Sequence, residues 1–223
     1  MGFHIILLKE ANQIECRYVE SLDKLAYISE LQKNSIIYQA EAAWTPVQVG
    51  GDLRYQLFAE EWYRAGMKAQ DVFCRQAREK GYMLEAIKQD QESFHAYTDV
   101  VQHPIKRSDF IIRNAKSIEV DVKCLTFYRQ NGNRYFYLSQ DDLEKHVNMS
   151  SNTEAPVLLA IYARVGDGVD ENKLYMCEIG DLKKVEETLE VETRDGIGTS
   201  YKIPLAMTKS GFKLMEKYRN KAV

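Results

Sequence analysis

The sequence predicts an α/β protein in which a mixed central β-sheet is flanked by helices. Three stretches carry that expectation. Residues 52–80 hold one long amphipathic pattern, with Leu57, Phe58, Trp62, Ala65, Ala69, Val72 and Phe73 at three- and four-residue steps. Residues 106–124, KRSDFIIRNAKSIEVDVKC, read as two short strands joined by a turn. Val157 to Tyr162 (VLLAIY) is an unbroken apolar run of strand length, which suits a central strand covered on both faces.

The remaining elements follow in order. Phe3 to Leu8 is a short apolar run of strand type, and residues 13–20 return as a second strand. Leu22, Leu25, Ile28 and Leu31 then fall at helical spacing. Residues 36–43 fit a strand or a helix, and Pro46 with Gly50-Gly51 marks a break. The long helix stops at Gly81, with basic residues in its last turns. Residues 82–98 hold either a short strand at 83–87 followed by a helix, or one continuous helix. Asp109 opens the first strand of the hairpin, and the second continues past Cys124 through Leu125 and Phe127. Asn131-Gly132-Asn133 is a turn, and Arg134 to Leu138 pairs back. Ser139 caps the helix DDLEKHVNM. Beyond the apolar strand, Leu174 to Ile179 is a further strand and residues 181–192 a solvated helix. Asp195 to Gly198 is a turn, and the tail from Met207 is an amphipathic helix with a basic end. This organisation divides the chain into an N-terminal segment over 1–50, a core over 51–185 and a C-terminal extension with a helix over 186–223, or joins all three in one compact domain.

At 223 residues the chain is long enough to bury a full core, and 45% hydrophobic with 28% charged residues is a globular composition. The net charge of −3 means that a nucleic-acid partner would need a local basic patch. Cys16, Cys74, Cys124 and Cys177 are scattered without metal-ligand spacing, which argues against zinc and for a reducing compartment. No run approaches the roughly 18 apolar residues of a membrane span. The opening residues lack a cleavage pattern, and Ile6 departs from the myristoylation pattern. The expected location is cytoplasmic.

The chemistry concentrates in the hairpin. Strand alternation puts Glu119, Asp121 and Lys123 on one face and Ile118, Val120 and Val122 on the other. Charged groups between apolar neighbours are costly unless paired or used. With Asp109 added, the face becomes an oxygen-rich site beside a lysine, which suits a hard divalent cation such as magnesium. The same pattern also fits a solvated ion pair on a half-exposed strand. The order of a helix carrying Glu60 and Glu61, the Asp109 hairpin, Asp121-Val122-Lys123, a helix and a buried strand resembles the PD-(D/E)XK, or restriction-endonuclease-like, nuclease superfamily over roughly residues 55–165. Ser108-Asp109 stands where that family has Pro-Asp, and Asp121-Val122-Lys123 matches its acidic-x-lysine triplet.

The resemblance implies an αβββαβ core and a DNA endonuclease that uses magnesium or manganese. Asp109 and Asp121 would be metal ligands, with a backbone carbonyl near Val122. Lys123 would orient the attacking water, and Glu60, or its neighbour Glu61, would complete the site. A non-catalytic binding or interaction protein on the same fold is the alternative. A homo-oligomer, or a subunit active only with a protein partner, is a further possibility. Lys106 and Arg107 fit either phosphate contacts or a solvated turn. Gln140 fits a capping or solvent role better than a place in the cleft. Tyr128, Tyr135 and Tyr137 fit cross-strand pairing better than base stacking. His4, His95, His103 and His146 lack metal-ligand spacing.

Overall fold

The computed structural model describes residues 3–8, 14–19, 35–39, 46–49, 51–87, 103–166, 168–194 and 198–219, with side chains described from Trp62 onward within these ranges, Arg194 excepted. The chain forms two units, 1–61 and 62–223. In the first, β1 (Phe3–Leu8), β2 (Ile14–Val19), β3 (Ser35–Gln39) and β4 (Pro46–Val49) make an antiparallel sheet in the order β2-β1-β3-β4. Residues 35–39 are therefore a strand. Pro46 opens β4 instead of breaking the chain, a position at which a strand tolerates proline. The helical pattern over Leu22 to Leu31 lies outside the described residues.

Helix α1 (Gly51–Glu79) ends where the sequence places its stop, with Gly81 in the left-handed region at φ 80°. After it come β5 (Leu84–Ala86), β6 (Phe110–Ile112), β7 (Ile118–Leu125), β8 (Tyr128–Gln130), β9 (Asn133–Ser139), α2 (Gln140–Thr153) and β10 (Val157–Val165). Then follow β11 (Gly168–Glu178), α3 (Ile179–Lys184), β12 (Glu190–Arg194), β13 (Gly198–Pro204), β14 (Lys209–Ser210) and α4 (Lys213–Glu216). The central sheet has the order β14-β11-β10-β7-β6-β5. Its β7–β10 pair is parallel and the other pairs are antiparallel. This is the mixed sheet flanked by helices that the sequence predicts.

Each face of the sheet meets a different layer. Ala65, Ala69, Val72 and Phe73 of α1 pack with Val120, Val122, Leu158, Ala160 and Tyr162. On the opposite face, Val157, Leu159 and Ile161 pack with Leu143 of α2 and with Phe136 and Leu138 of β9. Strand β10 is thus apolar on both sides, as its unbroken sequence requires. Strand β7 is not. Its Val120 and Val122 face α1, while Glu119, Asp121 and Lys123 register against Val157, Leu159 and Ile161. The parallel pairing needs a long crossover, and α2 supplies it over the charged face.

A third sheet, β12-β13-β9-β8, extends from this crossover. Asn131 and Gly132 take φ 50° and 81°, the two positive values of a tight hairpin turn, so Asn-Gly reads correctly as the β8–β9 turn. Tyr128 stacks on Tyr135 across that hairpin at 5.6 Å between centroids, and Tyr137 meets both edge-on.

Two expectations near the C-terminus are corrected. The charged helix over 181–192 stops at Lys184, because Val185 and Leu189 pack into the core and Glu190–Arg194 pairs with β13. The tail is not one helix. Ser210 pairs with Tyr175, Gly211 turns at φ 64° with its N–H on the Leu174 carbonyl, and a single-turn α4 follows.

Ser139 caps α2 by accepting a hydrogen bond from the Asp142 N–H at 3.0 Å. Ser139→Ala is expected to lower stability by roughly 1 kcal/mol. Leu159→Ala, in a fully buried position, should cost about 3 kcal/mol. Urea unfolding midpoints check both, and an unchanged midpoint for Ser139→Ala would exclude the capping role.

Candidate active site

Strand β7 supplies the centre of the site. Asp121 and Lys123 are two residues apart on the face that α2 covers, and both are drawn out of bulk water. Lys123 Nζ lies 2.9 Å from Asp121 Oδ2. Asp109 stands immediately before β6, where its N–H bonds the Val120 carbonyl at 3.0 Å. Its carboxylate is fixed from two sides. The Val122 N–H donates to Oδ2 at 2.7 Å, and Gln70 Nε2 of α1 donates to Oδ1 at 2.7 Å. The hairpin register therefore brings Asp109, Asp121 and Lys123 together. Glu60 and Glu61 lie in α1, but their side chains are outside the described residues; Gln70 is the described residue of that helix seen to bond Asp109.

Helix α2 adds two residues that the sequence reading did not place in the site. Asp142 Oδ2 lies 3.1 Å from Lys123 Nζ, and its Oδ1 lies 2.8 Å from Lys106 Nζ. One turn further along, His146 is fully buried with Nε2 3.5 Å from Asp121 Oδ2. A signal for both was present. Leu143, His146 and Met149 form the buried stripe of α2, and a histidine within such a stripe points at whatever the helix covers. Asp142 sits four residues before it on the same side.

Burial would raise the Asp121 pKa, but the Lys123 ammonium and the His146 ring outweigh it and hold the carboxyl well below the usual carboxylate range. Burial likewise opposes the Lys123 ammonium, and Asp121 and Asp142 more than compensate, so its pKa is raised. The two lysines hold Asp142 down at about 2 against its own burial. Lys106 is lowered by burial and by the like charge of Lys123. Asp109 moves the other way. Burial and the neighbouring Asp121 carboxylate push it up to about 7, against the Val122 N–H and the two lysines.

The flanking residues are more buried than their sequence suggests. Glu119 is 5% exposed; burial raises its pKa, and the Ser108 and Thr153 hydroxyls oppose that shift. It is therefore not a solvent residue. Arg107, also 5% exposed, is not part of a solvated turn, whereas Lys106 remains half-exposed. Cys74, Cys124 and Cys177 are free thiols, and burial pushes Cys177 up to about 12, which leaves it unreactive.

Two features bear on a metal. Asp121 Oδ2 is buried and, although Lys123 Nζ lies 2.9 Å and His146 Nε2 3.5 Å away, receives no well-directed hydrogen bond. Among the described residues, no three His, Cys, Asp or Glu side chains converge as a metal cage. The described chain thus offers a pair of carboxylates beside a lysine. No described helix is long and apolar enough to cross a membrane.

No family model and no curated protein matches the sequence. Among the solved structures, a nuclease from a fusselovirus is similar over 72% of this chain and 90% of that chain, at 12% sequence identity and a TM-score of 0.39. The overlap is partial at that score and leaves the chemistry to this chain's own side chains.

Proposed function

We propose that this chain is a metal-dependent nuclease of the PD-(D/E)XK type, hydrolysing DNA phosphodiester bonds with magnesium or manganese. The observation that supports it most is the convergence of Asp109, Asp121 and Lys123. Lys123 Nζ is 2.9 Å from Asp121, and Asp109 lies within the field of the Asp121 carboxylate. The donor set fits a hard cation, because both ligands are carboxylates and Asp121 Oδ2 has an unfilled hydrogen-bonding direction. Asp109 and Asp121 would hold the ion; Glu60 is added as a third ligand by the resemblance alone. The ion, when bound, neutralises charge on the phosphate and lowers the pKa of a water molecule.

The rest of the work belongs to the chain. Lys123 stays cationic between its carboxylates and orients the attacking water by donating hydrogen bonds to it. The Val122 N–H and Gln70 lock Asp109 in one rotamer, so the carboxylate is positioned before substrate arrives. His146 stands behind Asp121 and limits its rotation.

A second reading is a non-catalytic binding protein on the same fold. It is favoured by the engagement of Lys123 with two carboxylates and by the lack of a three-residue cage among the described residues.

Asp121→Asn and Lys123→Ala are each expected to lower magnesium-dependent cleavage of DNA by at least about 100-fold while the fold persists in circular dichroism. Equal cleavage by wild type and both variants excludes the nuclease reading. Absent cleavage, with no manganese binding by calorimetry, selects the second.

Asp109 also gives a pH-dependent stability. Its folded pKa of about 7 lies above the unfolded carboxylate value, so the native state binds the extra proton between about pH 4 and 7. That contribution is complete below about pH 4 and is lost as pH rises through 7. Relative to wild type, Asp109→Asn should therefore gain on the order of 2 kcal/mol in going from pH 4.5 to pH 8. Chemical denaturation at both pH values measures the difference. Parallel curves for the two proteins would show that Asp109 is not held in a proton-retaining site.

A further inference from the structure

The charge ladder around Lys123 has a direction. His146, Asp121, Lys123, Asp142 and Lys106 have side chains 0%, 5%, 15%, 26% and 35% exposed, respectively, so the ladder runs from the core toward the surface. At its outer end one carboxylate lies between two ammonium groups, each on a separate oxygen. Lys106 Nζ is 2.8 Å from Asp142 Oδ1, and Lys123 Nζ is 3.1 Å from Asp142 Oδ2. The lysines come from different elements and are held independently. Lys123 belongs to β7. The segment carrying Lys106 is pinned along α2 by its N–H on the Lys145 carbonyl and by Asn148 Nδ2 on the Pro104 carbonyl at 2.9 Å.

We propose that Lys106 and Lys123 form a clamp for a phosphate group, and that Asp142 is its built-in competitor, its two oxygens standing where two oxygens of a phosphodiester bind. This deepens the nuclease reading and rests on it for the source of the phosphate. A carboxylate and a phosphodiester both present two anionic oxygens to paired cations. The clamp adjoins Asp109 and Asp121, so a phosphate held there lies beside the carboxylates. Asp142 is on the first turn of α2 and partly exposed, so it can turn toward water when a phosphate displaces it. Two lysines converging on one anion site repel each other without it, which gives the vacated clamp a demand for a replacement anion.

The test removes the competitor while keeping its shape. Asp142→Asn should bind inorganic phosphate at least about tenfold more tightly than wild type by calorimetry, and phosphate should raise its melting temperature more than chloride at matched ionic strength. The gain should vanish in Lys106→Ala/Asp142→Asn. With metal removed by EDTA, a short fluorescein-labelled DNA duplex should show the same order of affinities by anisotropy if the source is a nucleic-acid phosphodiester; a gain confined to inorganic phosphate restricts the clamp to free phosphate. Lys106→Ala alone, at a half-exposed position, should weaken phosphate binding several-fold and guards against misfolding of the Asn variant. Unchanged or weaker phosphate binding by Asp142→Asn, or a gain that survives loss of Lys106, overturns the clamp. Wild-type cleavage of DNA with magnesium is read separately. Cleavage without the phosphate gain removes the clamp and leaves the nuclease. The phosphate gain with no cleavage by any variant keeps the clamp and removes the nuclease.

Discussion

The local structure depends on burying a charged strand face under a helix. Glu119, Asp121 and Lys123 of β7 lie beneath α2, and the adjoining strand β10 fills the same layer with Val157, Leu159 and Ile161. An apolar β7 face would pack as well. Buried ion pairs are weak contributors to stability compared with apolar side chains of similar volume. The Asp121–Lys123 pair is tolerable because Asp142 and His146 of α2 complete its surroundings. The helix that caps the sheet also supplies the counter-charges, so the crossover and the site form together.

Asp109 ties that arrangement to the other side of the sheet. It accepts from Val122 on β7 and from Gln70 on α1, so one carboxylate joins the hairpin to the helix on the opposite face. Burial first, and then the nearby Asp121 carboxylate, disfavour its charged form and push its pKa up to about 7. Asp121 is driven down by the same neighbourhood. Two carboxylates whose environments push them apart are a recurring mark of functional sites, where charge is kept in place for use instead of stability.

The elements most legible in the sequence were those with a local cause. The stripe over Trp62 to Phe73, the stop at Gly81, the Asn131-Gly132 turn, the Ser139 cap and the apolar run from Val157 each depend on residues close in the chain. The tail misled because its helical periodicity competes with pairing to Tyr175, a residue more than thirty positions away. The helix expected past Lys184 yielded to pairing with β13, the next strand in the chain, together with burial of Val185 and Leu189. Local helical pattern loses where another strand offers hydrogen bonds and burial.

The sequence by itself determined that Asp121 and Lys123 share a strand face, because a period of two leaves no alternative within β7. It also determined that Asp109 opens the preceding strand of the hairpin, and that β10 is buried on both sides. Only the tertiary structure decided what covers that face. The crossover lays α2 over β7, so Asp142 meets Lys123 from 19 positions away, His146 meets Asp121 from further still, and Lys106 reaches Asp142 across 36 positions. No spacing rule links such positions. They meet because parallel pairing of β7 with β10 forces the intervening chain across the sheet.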